Sequence, residues 1–238
     1  MVQTILHKAS TRGKANHGWL NSFHTFSFAN YYNPERMHFG VLRVLNDDTV
    51  AGGKGFGTHP HDNMEIISIP LAGNLKHEDN MGTKAIIKAG DIQVMSAGTG
   101  VAHSEYNASE NEEVKFLQIW LFPNKKNVTP RYQQITLHTE DRHNKLQQIL
   151  SPDADDGGVW IYQDAWFSMA NLDKGFNTSY HIKKNGNGVY VFVLKGEVTI
   201  DGQQLSSRDG LGLQNIGEIS ITADSDTELL LMEVPMDI

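Results

Sequence analysis

Most apolar residues of the chain fall in short runs that are rich in Val, Ile, Phe and Thr and are bounded by Gly, Asn or Asp. Runs of this length and composition predict β-strands. No long helical period separates them, and this spacing favours a sandwich, a jelly roll or a barrel. The predicted strands include residues 39–45, 66–71, 85–88, 92–95, 114–122, 189–194, 198–200, 219–222 and 229–234.

Local signals add two hairpins and one helix to this pattern. Gly73-Asn74 and Asp201-Gly202 are dipeptides typical of tight turns between antiparallel strands. Residues 140–150 predict a short helix, because Thr139 can serve as its N-cap and Ser151-Pro152 would end it. The fold is therefore predicted to be almost entirely β.

The chain divides near its midpoint into two similar halves. Residues 123–138 begin with a polar stretch that lacks apolar runs, and we interpret them as a linker. Residues 66–75 resemble residues 189–198, and the turn at Gly90 has a counterpart at Gly210, each offset by about 120 positions. These repeats predict a duplicated β-barrel, with one barrel in residues 1–122 and a second in residues 139–238.

Composition narrows the class of protein. The chain has 238 residues, of which 39% are hydrophobic, so a sizeable core can form. Cys is absent, which excludes disulfide scaffolds, iron-sulfur clusters and thiol nucleophiles. The net charge is -8 and no block of Lys or Arg exceeds a pair, so direct binding to nucleic acid is not expected. No apolar run approaches the roughly 18 residues of a membrane span, and we expect a cytoplasmic protein without membrane contact.

Two short motifs place metal-binding side chains at strand spacing. His59 and His61 are two residues apart, and so are His103 and Glu105, so each pair points to one face of an extended segment. Either pair alone is weak evidence for a metal site. Glycines flank both pairs, and glycines are typical of positions where a strand of a barrel bends. Three imidazoles and one carboxylate suit Fe(II), Zn, Ni, Co, Mn or Cu and leave coordination positions open. We expect one divalent transition metal per chain, with Fe(II) preferred.

Three longer segments carry a family resemblance, namely residues 16–28, 57–65 and 95–106. Through them the whole chain closely resembles the pirin family of bicupins, in particular its bacterial branch with quercetinase activity. The resemblance implies an all-β chain with two cupin barrels, each a jelly-roll or double-stranded β-helix. It also implies metal in the N-terminal barrel only. The residues that match the pirin metal ligands are His59, His61, His103 and Glu105.

Counting along the repeat supports a metal-free second barrel. The offsets place Ile182 and Lys184, and Ala223 and Ser225, at the positions of the four ligands. None of these residues supplies an imidazole. His181 is one residue out of register, and a slip of one residue turns a strand side chain to the other face.

The reaction itself follows only from the resemblance, because cupins support several activities. The resemblance implies a quercetin 2,3-dioxygenase, in which Glu105 takes the proton of the flavonol 3-hydroxyl and dioxygen opens the central ring with release of carbon monoxide. One alternative is a non-catalytic redox sensor, whose metal state alters the surface shown to a protein partner. A sugar-phosphate isomerase is a weaker alternative, because the metal motifs contain no Arg or Lys for a phosphate.

The remaining candidate side chains are given structural roles. We expect Glu65 to be a partner of the metal ligands or a hairpin residue, since Glu105 already supplies the carboxylate. The other aromatic and histidine residues form two groups. We expect His17, His24 and His38 to be packed or hydrogen-bonded. We expect core positions for Phe23, Phe26, Phe28, Met95 and Trp120, and solvated positions for His77, His138 and His143.

Overall fold

The structure is a computed structural model that describes residues 2–238. Within this range helix is confined to two short 3₁₀ turns, Ala9–Thr11 and Thr139–Asp141. The strands of the first half are β1 (Gln3–His7), β2 (Gly13–Asn16), β3 (Leu20–His24), β4 (Leu42–Val50), β5 (Gly55–His61), β6 (Glu65–Ala72), β7 (Asn74–Asp79), β8 (Lys84–Lys88), β9 (Asp91–Ser96), β10 (Val101–Asn107) and β11 (Val114–Leu121). Those of the second half are β12 (Arg131–Thr136), β13 (Gln147–Ser151), β14 (Val159–Trp160), β15 (Trp166–Leu172), β16 (Asn177–His181), β17 (Asn187–Lys195), β18 (Glu197–Ile200), β19 (Gln203–Ser206), β20 (Gly210–Gln214), β21 (Glu218–Ala223) and β22 (Thr227–Pro235).

The strands form two sandwiches with the same architecture. In the N-terminal one, a seven-stranded sheet β12-β9-β6-β11-β4-β3-β2 packs on a four-stranded sheet β5-β10-β7-β8. The C-terminal one pairs the sheets β1-β20-β17-β22-β15-β13-β14 and β16-β21-β18-β19. Strands β6 and β9 contain the first copy of the predicted repeat, and β17 and β20 contain the second. The two pairs occupy the same positions in the two seven-stranded sheets. The prediction of two cupin barrels in one all-β chain is confirmed.

The two barrels exchange their outer strands. Strand β1 pairs with β20 of the C-terminal barrel, and β12 pairs with β9 of the N-terminal barrel. The predicted linker, residues 123–138, is therefore wrong in one respect, because it contains a strand of the first barrel. Strand β12 has the sequence Arg-Tyr-Gln-Gln-Ile-Thr and lies at a sheet edge, where a polar strand is tolerated and leaves no apolar run to detect.

Two local predictions are wrong. Residues 140–150 form no helix, since a 3₁₀ turn ends at Asp141 and β13 pairs with β15. The apolar Ile149 and Leu150 belong to a buried strand with a register shift, so tertiary pairing overrides the local helix signal. Gly73-Asn74 is no hairpin, because it joins β6 to β7, which lie in different sheets. Asp201-Gly202 does join a hairpin, in which Ile200 pairs with Gln203.

The core positions are distributed differently in the two barrels. The large sheets pack face to face, and their facing side chains, such as Ile67 and Met232, form one apolar core between the barrels. The interior of the C-terminal barrel is a second continuous apolar cluster. The interior of the N-terminal barrel contains two separate apolar clusters, around Phe116 and around Ile66. Polar side chains fill the space between those clusters, and the candidate site lies there.

Candidate metal centre

Three predicted histidines converge inside the N-terminal barrel. His59 and His61 lie on β5, and His103 lies on β10 directly opposite His59. Their ring centroids are 4.5 Å apart for His59 and His103, 4.9 Å for His61 and His103, and 4.8 Å for His59 and His61. The alternation of strand side chains therefore brings both motifs to one centre, as their spacing predicts.

The ring nitrogens of this cluster have few partners within the protein. Nδ1 of His59 lies 2.7 Å from the carbonyl oxygen of Gly57, which leaves Nε2 free. Nε2 of His61 and both nitrogens of His103 are buried without a hydrogen-bond partner. Burial lowers the pKa of His61 to about 4 and also lowers that of His103, so these imidazoles are neutral at physiological pH. Neutral imidazoles with free nitrogens are the form that binds a transition metal, so the residues fit such an ion.

Glu105 lies on β10 two residues after His103, but the structure does not bring it into the group formed by the three histidines. Its side chain is 2% exposed, and both of its oxygens accept hydrogen bonds. Ser68 Oγ donates to Oε1 at 2.9 Å, and Gln118 Nε2 donates to Oε2 at 2.7 Å. Burial raises the pKa of Glu105, and these hydrogen bonds oppose that shift. Glu105 and His103 also form a group with His77, in which the ligating atoms lie within 4.8 Å of one another.

The position of His77 differs from the prediction. It is fully buried, and its Nε2 lies 3.0 Å from Oδ2 of Asp79. Its ring lies 5.3 Å from that of His103 and 4.8 Å from that of Tyr132. The expectation of a solvated His77 is wrong because β7 alternates, and His77 shares the inward face with the buried Leu75. The spacing of two residues between Leu75 and His77 could have predicted from the sequence that His77 is buried. His138 and His143 are exposed, as predicted.

A cavity of about 260 Å³ opens beside the cluster. Its apolar walls include Phe28, Phe56 and Trp120, and the ring of Phe28 lies 5.4 Å from that of Trp120. The prediction that Phe28 and Trp120 are core residues is therefore wrong, whereas Phe26 and Met95 are core residues as predicted. The polar lining consists of His17, Ser22, His24, Asn46, Asp48, His59, Glu105 and Gln118.

One carboxyl of the cavity lies apart from the histidines. Asp48 accepts a hydrogen bond from Ser22, and burial raises the pKa of Asp48 to about 7. Neither the cavity nor this carboxyl has a signal in the sequence, since Asp48 lies in an ordinary strand of mixed composition.

Glu65 does not serve the metal cluster. It lies on β6 on the face opposite to Ser68, which points to Glu105. Its carboxylate accepts a hydrogen bond from Ser96 at 2.7 Å, and burial raises the pKa of Glu65 to about 7 although Arg131 opposes this shift. The prediction of a role next to the ligands or in a hairpin is therefore wrong. His38 contacts the carbonyl oxygen of Gly40, whereas His17 and His24 line the cavity.

Strand pairing defines the corresponding positions of the second barrel, starting from Gly73 and Gly196, which follow β6 and β17. The positions of His59, His61, His103 and Glu105 are occupied there by Tyr180, Ile182, Ile219 and Ile221. The register counted along the sequence is wrong, because the connections between strands differ in length in the two halves. His181 is exposed on the outer face and lies 3.5 Å from Glu218, as its one-residue offset predicts.

Two sandwiches with one strand order in one chain define a bicupin, and the histidine cluster places the candidate site in its first barrel. Residues 6–121 match the family described as Pirin, and residues 148–234 match the family described as Quercetinase C-terminal cupin domain. The chain belongs to the pirin family. This confirms the resemblance seen in the sequence.

Similar proteins agree over nearly the whole chain. A protein of Escherichia coli named quercetin 2,3-dioxygenase is 48% identical, and the match covers 97% of this chain and 98% of that protein. A pirin-like protein of Caulobacter vibrioides is 41% identical over 93% of this chain and 95% of that protein. The crystal structure of the bacterial pirin YhhW from Escherichia coli in complex with nickel(II) superposes with a TM-score of 0.93 at 46% identity, covering 98% of this chain and 99% of that chain. In residues 2–238 no helix is long and apolar enough to cross a membrane.

Proposed function

We propose that this chain is a metal-dependent dioxygenase of the pirin type, which opens the central ring of a flavonol such as quercetin and releases carbon monoxide. The observation that carries the proposal is the cluster of His59, His61 and His103, which has ring nitrogens without a protein partner and of which His59 lines a cavity with aromatic walls. Relatives named quercetin 2,3-dioxygenase support the same reaction and the same two substrates, a flavonol and dioxygen.

The metal ligands in this proposal are the three histidines and Glu105. Together they would hold one divalent transition metal, for which Fe(II) is our first expectation and the nickel(II) of the related YhhW structure supports a second. When bound, the metal supplies a Lewis acid that lowers the pKa of a phenolic hydroxyl and a template that orients the substrate. The second barrel, with Tyr180 and three isoleucines at the corresponding positions, would hold no metal.

Glu105 acts as the base in this proposal. One of its oxygens takes the proton of the flavonol 3-hydroxyl, while Ser68 and Gln118 hold the carboxylate in a fixed orientation. Phe28, Phe56 and Trp120 lie against the faces of a planar substrate and exclude water from the reacting end. All of these residues except Ser68 line the cavity.

Replacing Glu105 tests the assignment of the base. Glu105→Gln keeps an oxygen ligand but removes the proton acceptor, so quercetin turnover should fall by roughly 10²-fold or more while some metal remains bound. Glu78→Gln is the matched control, because Glu78 lies in the same sheet and pairs with Lys76 at the surface. Dioxygen uptake and metal content are measured on the same samples. Full dioxygen uptake by Glu105→Gln would show that the carboxylate is only a ligand.

A further inference from the structure

Three polar side chains of the cavity have no role in the proposed chemistry. His24 on β3 and Asn46 and Asp48 on β4 face the interior of the N-terminal barrel and line the cavity. They are 3%, 2% and 4% exposed, respectively. We call these three residues the polar wall. None of them belongs to the group of side chains that could hold the metal.

The polar wall has unused hydrogen-bonding capacity. Nδ1 of His24 and Oδ1 of Asn46 are buried without a partner. Ser22 donates a hydrogen bond to Oδ1 of Asp48, and in residues 2–238 no side chain or backbone group donates to Oδ2. A buried polar group without a partner reduces stability, so a protein retains such groups where a ligand satisfies them.

The cupin fold does not require a carboxamide and a carboxylate at the positions of Asn46 and Asp48. Strand pairing places Ser168 and Ala170 of the second barrel at the positions of Asn46 and Asp48. In the same comparison, Leu231 of the second barrel corresponds to Gln118, which donates a hydrogen bond to Glu105 in the first. The second barrel folds around an apolar interior. The carboxamide of Asn46 and the carboxylate of Asp48 therefore have no counterpart in the second barrel, whereas His24 is replaced there by another polar residue, Gln148.

The polar wall lies within reach of a substrate that reacts at Glu105. Asn46 lies directly opposite Gln118 on the neighbouring strand, and Gln118 donates to Glu105. His24 lies opposite Asn46 on the next strand, so two strand spacings, roughly 10 Å in total, separate Gln118 from His24. The aromatic side chains Phe28 and Trp120 line the same cavity. A flat ligand that lies against these aromatic side chains can extend from Glu105 to the polar wall.

We propose that the polar wall is the subsite for hydroxyl groups of the aromatic substrate that are remote from its reacting hydroxyl, and that it determines the preference for polyhydroxylated flavonols. Asp48 Oδ2 and Asn46 Oδ1 accept hydrogen bonds from such hydroxyls, and Asn46 Nδ2 donates to them. The inference rests on the proposed function, because that function defines the reacting end at Glu105.

The test compares two flavonols that react at the same group. Quercetin carries additional ring hydroxyls, and 3-hydroxyflavone carries only the reacting hydroxyl. Dissociation constants are measured by tryptophan fluorescence for nickel-loaded protein without dioxygen, so that no turnover is needed. Wild type should bind quercetin roughly tenfold more tightly than 3-hydroxyflavone, as expected for one or two hydrogen bonds to buried groups. Asp48→Asn and Asn46→Leu should each remove most of this ratio, and the surface control Glu78→Gln should retain it.

Thermal stability separates recognition from a structural role. Asn46→Leu removes an amide whose oxygen has no partner, so its melting temperature should equal or exceed that of wild type. A residue kept only for folding would lower the melting temperature and leave the binding ratio unchanged, which would overturn the inference. Equal binding of the two flavonols by wild type would overturn it as well. If the protein bound quercetin tightly and in preference to 3-hydroxyflavone but did not turn it over with dioxygen, the subsite would be supported. Only the proposed dioxygenase activity would then be contradicted.

Discussion

Gln118 offers a sharp test of how the barrel holds its candidate carboxylate ligand. Its Nε2 donates to Oε2 of Glu105 at 2.7 Å, and the only other side chain that donates to this carboxylate in residues 2–238 is Ser68. Gln118→Leu introduces the residue found at the corresponding position of the metal-free barrel, Leu231, so the sheet should accept it.

The magnitude follows from the burial of Glu105, which is 2% exposed. A hydrogen bond to a buried charged group contributes about 1.5–3 kcal/mol. Because roughly 1.4 kcal/mol corresponds to a tenfold change in affinity, Gln118→Leu should weaken metal binding by about 10- to 100-fold. Ser68→Ala removes the second hydrogen bond and should act in the same direction.

The assay is calorimetric titration of metal-free protein with nickel(II). Gln93→Leu is the matched control, because Gln93 lies opposite Ser68 in the same barrel, is also buried, and makes no hydrogen bond with its side chain. The control should retain the affinity of wild type. An unchanged dissociation constant in Gln118→Leu, or an equal loss in Gln93→Leu, would refute a specific role for the hydrogen bond to Glu105.

Two further predictions concern the rest of the chain. Burial lowers the pKa of His7 from 6.5 to about 4, so the unfolded chain binds a proton that the folded chain does not between these pH values. The contribution of His7 to stability should therefore be complete above pH 6.5 and should fall by about 3 kcal/mol as the pH decreases to 4. Because His61 and His103 cause losses of their own at acidic pH, urea unfolding of His7→Gln should show a loss that is smaller than that of wild type by this amount. If the stability of His7→Gln depended on pH in the same way as that of wild type, protonation of His7 would not be a cause of the loss. His181→Ala should leave metal binding at one equivalent by elemental analysis, since the His181 side chain lies on the outer face beside Glu218; a lower metal content would indicate a second site.

Much of the fold could be predicted from the sequence because strands that are buried on both faces read as short continuous apolar runs. The runs that became β6, β9, β17 and β22 are buried at nearly every position, and the repeat between the halves matched the observed strand order. The exchanged strands could not be placed, because pairing of β1 with β20 joins residues about two hundred positions apart. An edge strand such as β12 also lacks the apolar run that reveals a central strand.

The candidate site was only partly predictable for a related physical reason. The two motifs on β5 and β10 carry their spacing within a few residues, so their convergence followed from strand geometry. Gln118 and the polar wall come from β3, β4 and β11, and nothing local distinguishes them from surface residues. Their proximity to Glu105 depends on the packing of two sheets, which the sequence pattern alone does not specify.

The central claim is that the metal centre of the first barrel opens a flavonol ring. The most direct measurement is the simultaneous recording of dioxygen consumed and carbon monoxide released by protein loaded with one equivalent of a defined metal and supplied with quercetin. We expect equimolar dioxygen and carbon monoxide with wild type, and neither with His61→Ala, which lacks one of the three clustered imidazoles. Absence of dioxygen-dependent quercetin loss with every one of Fe(II), Ni, Co, Mn, Cu and Zn would contradict the account.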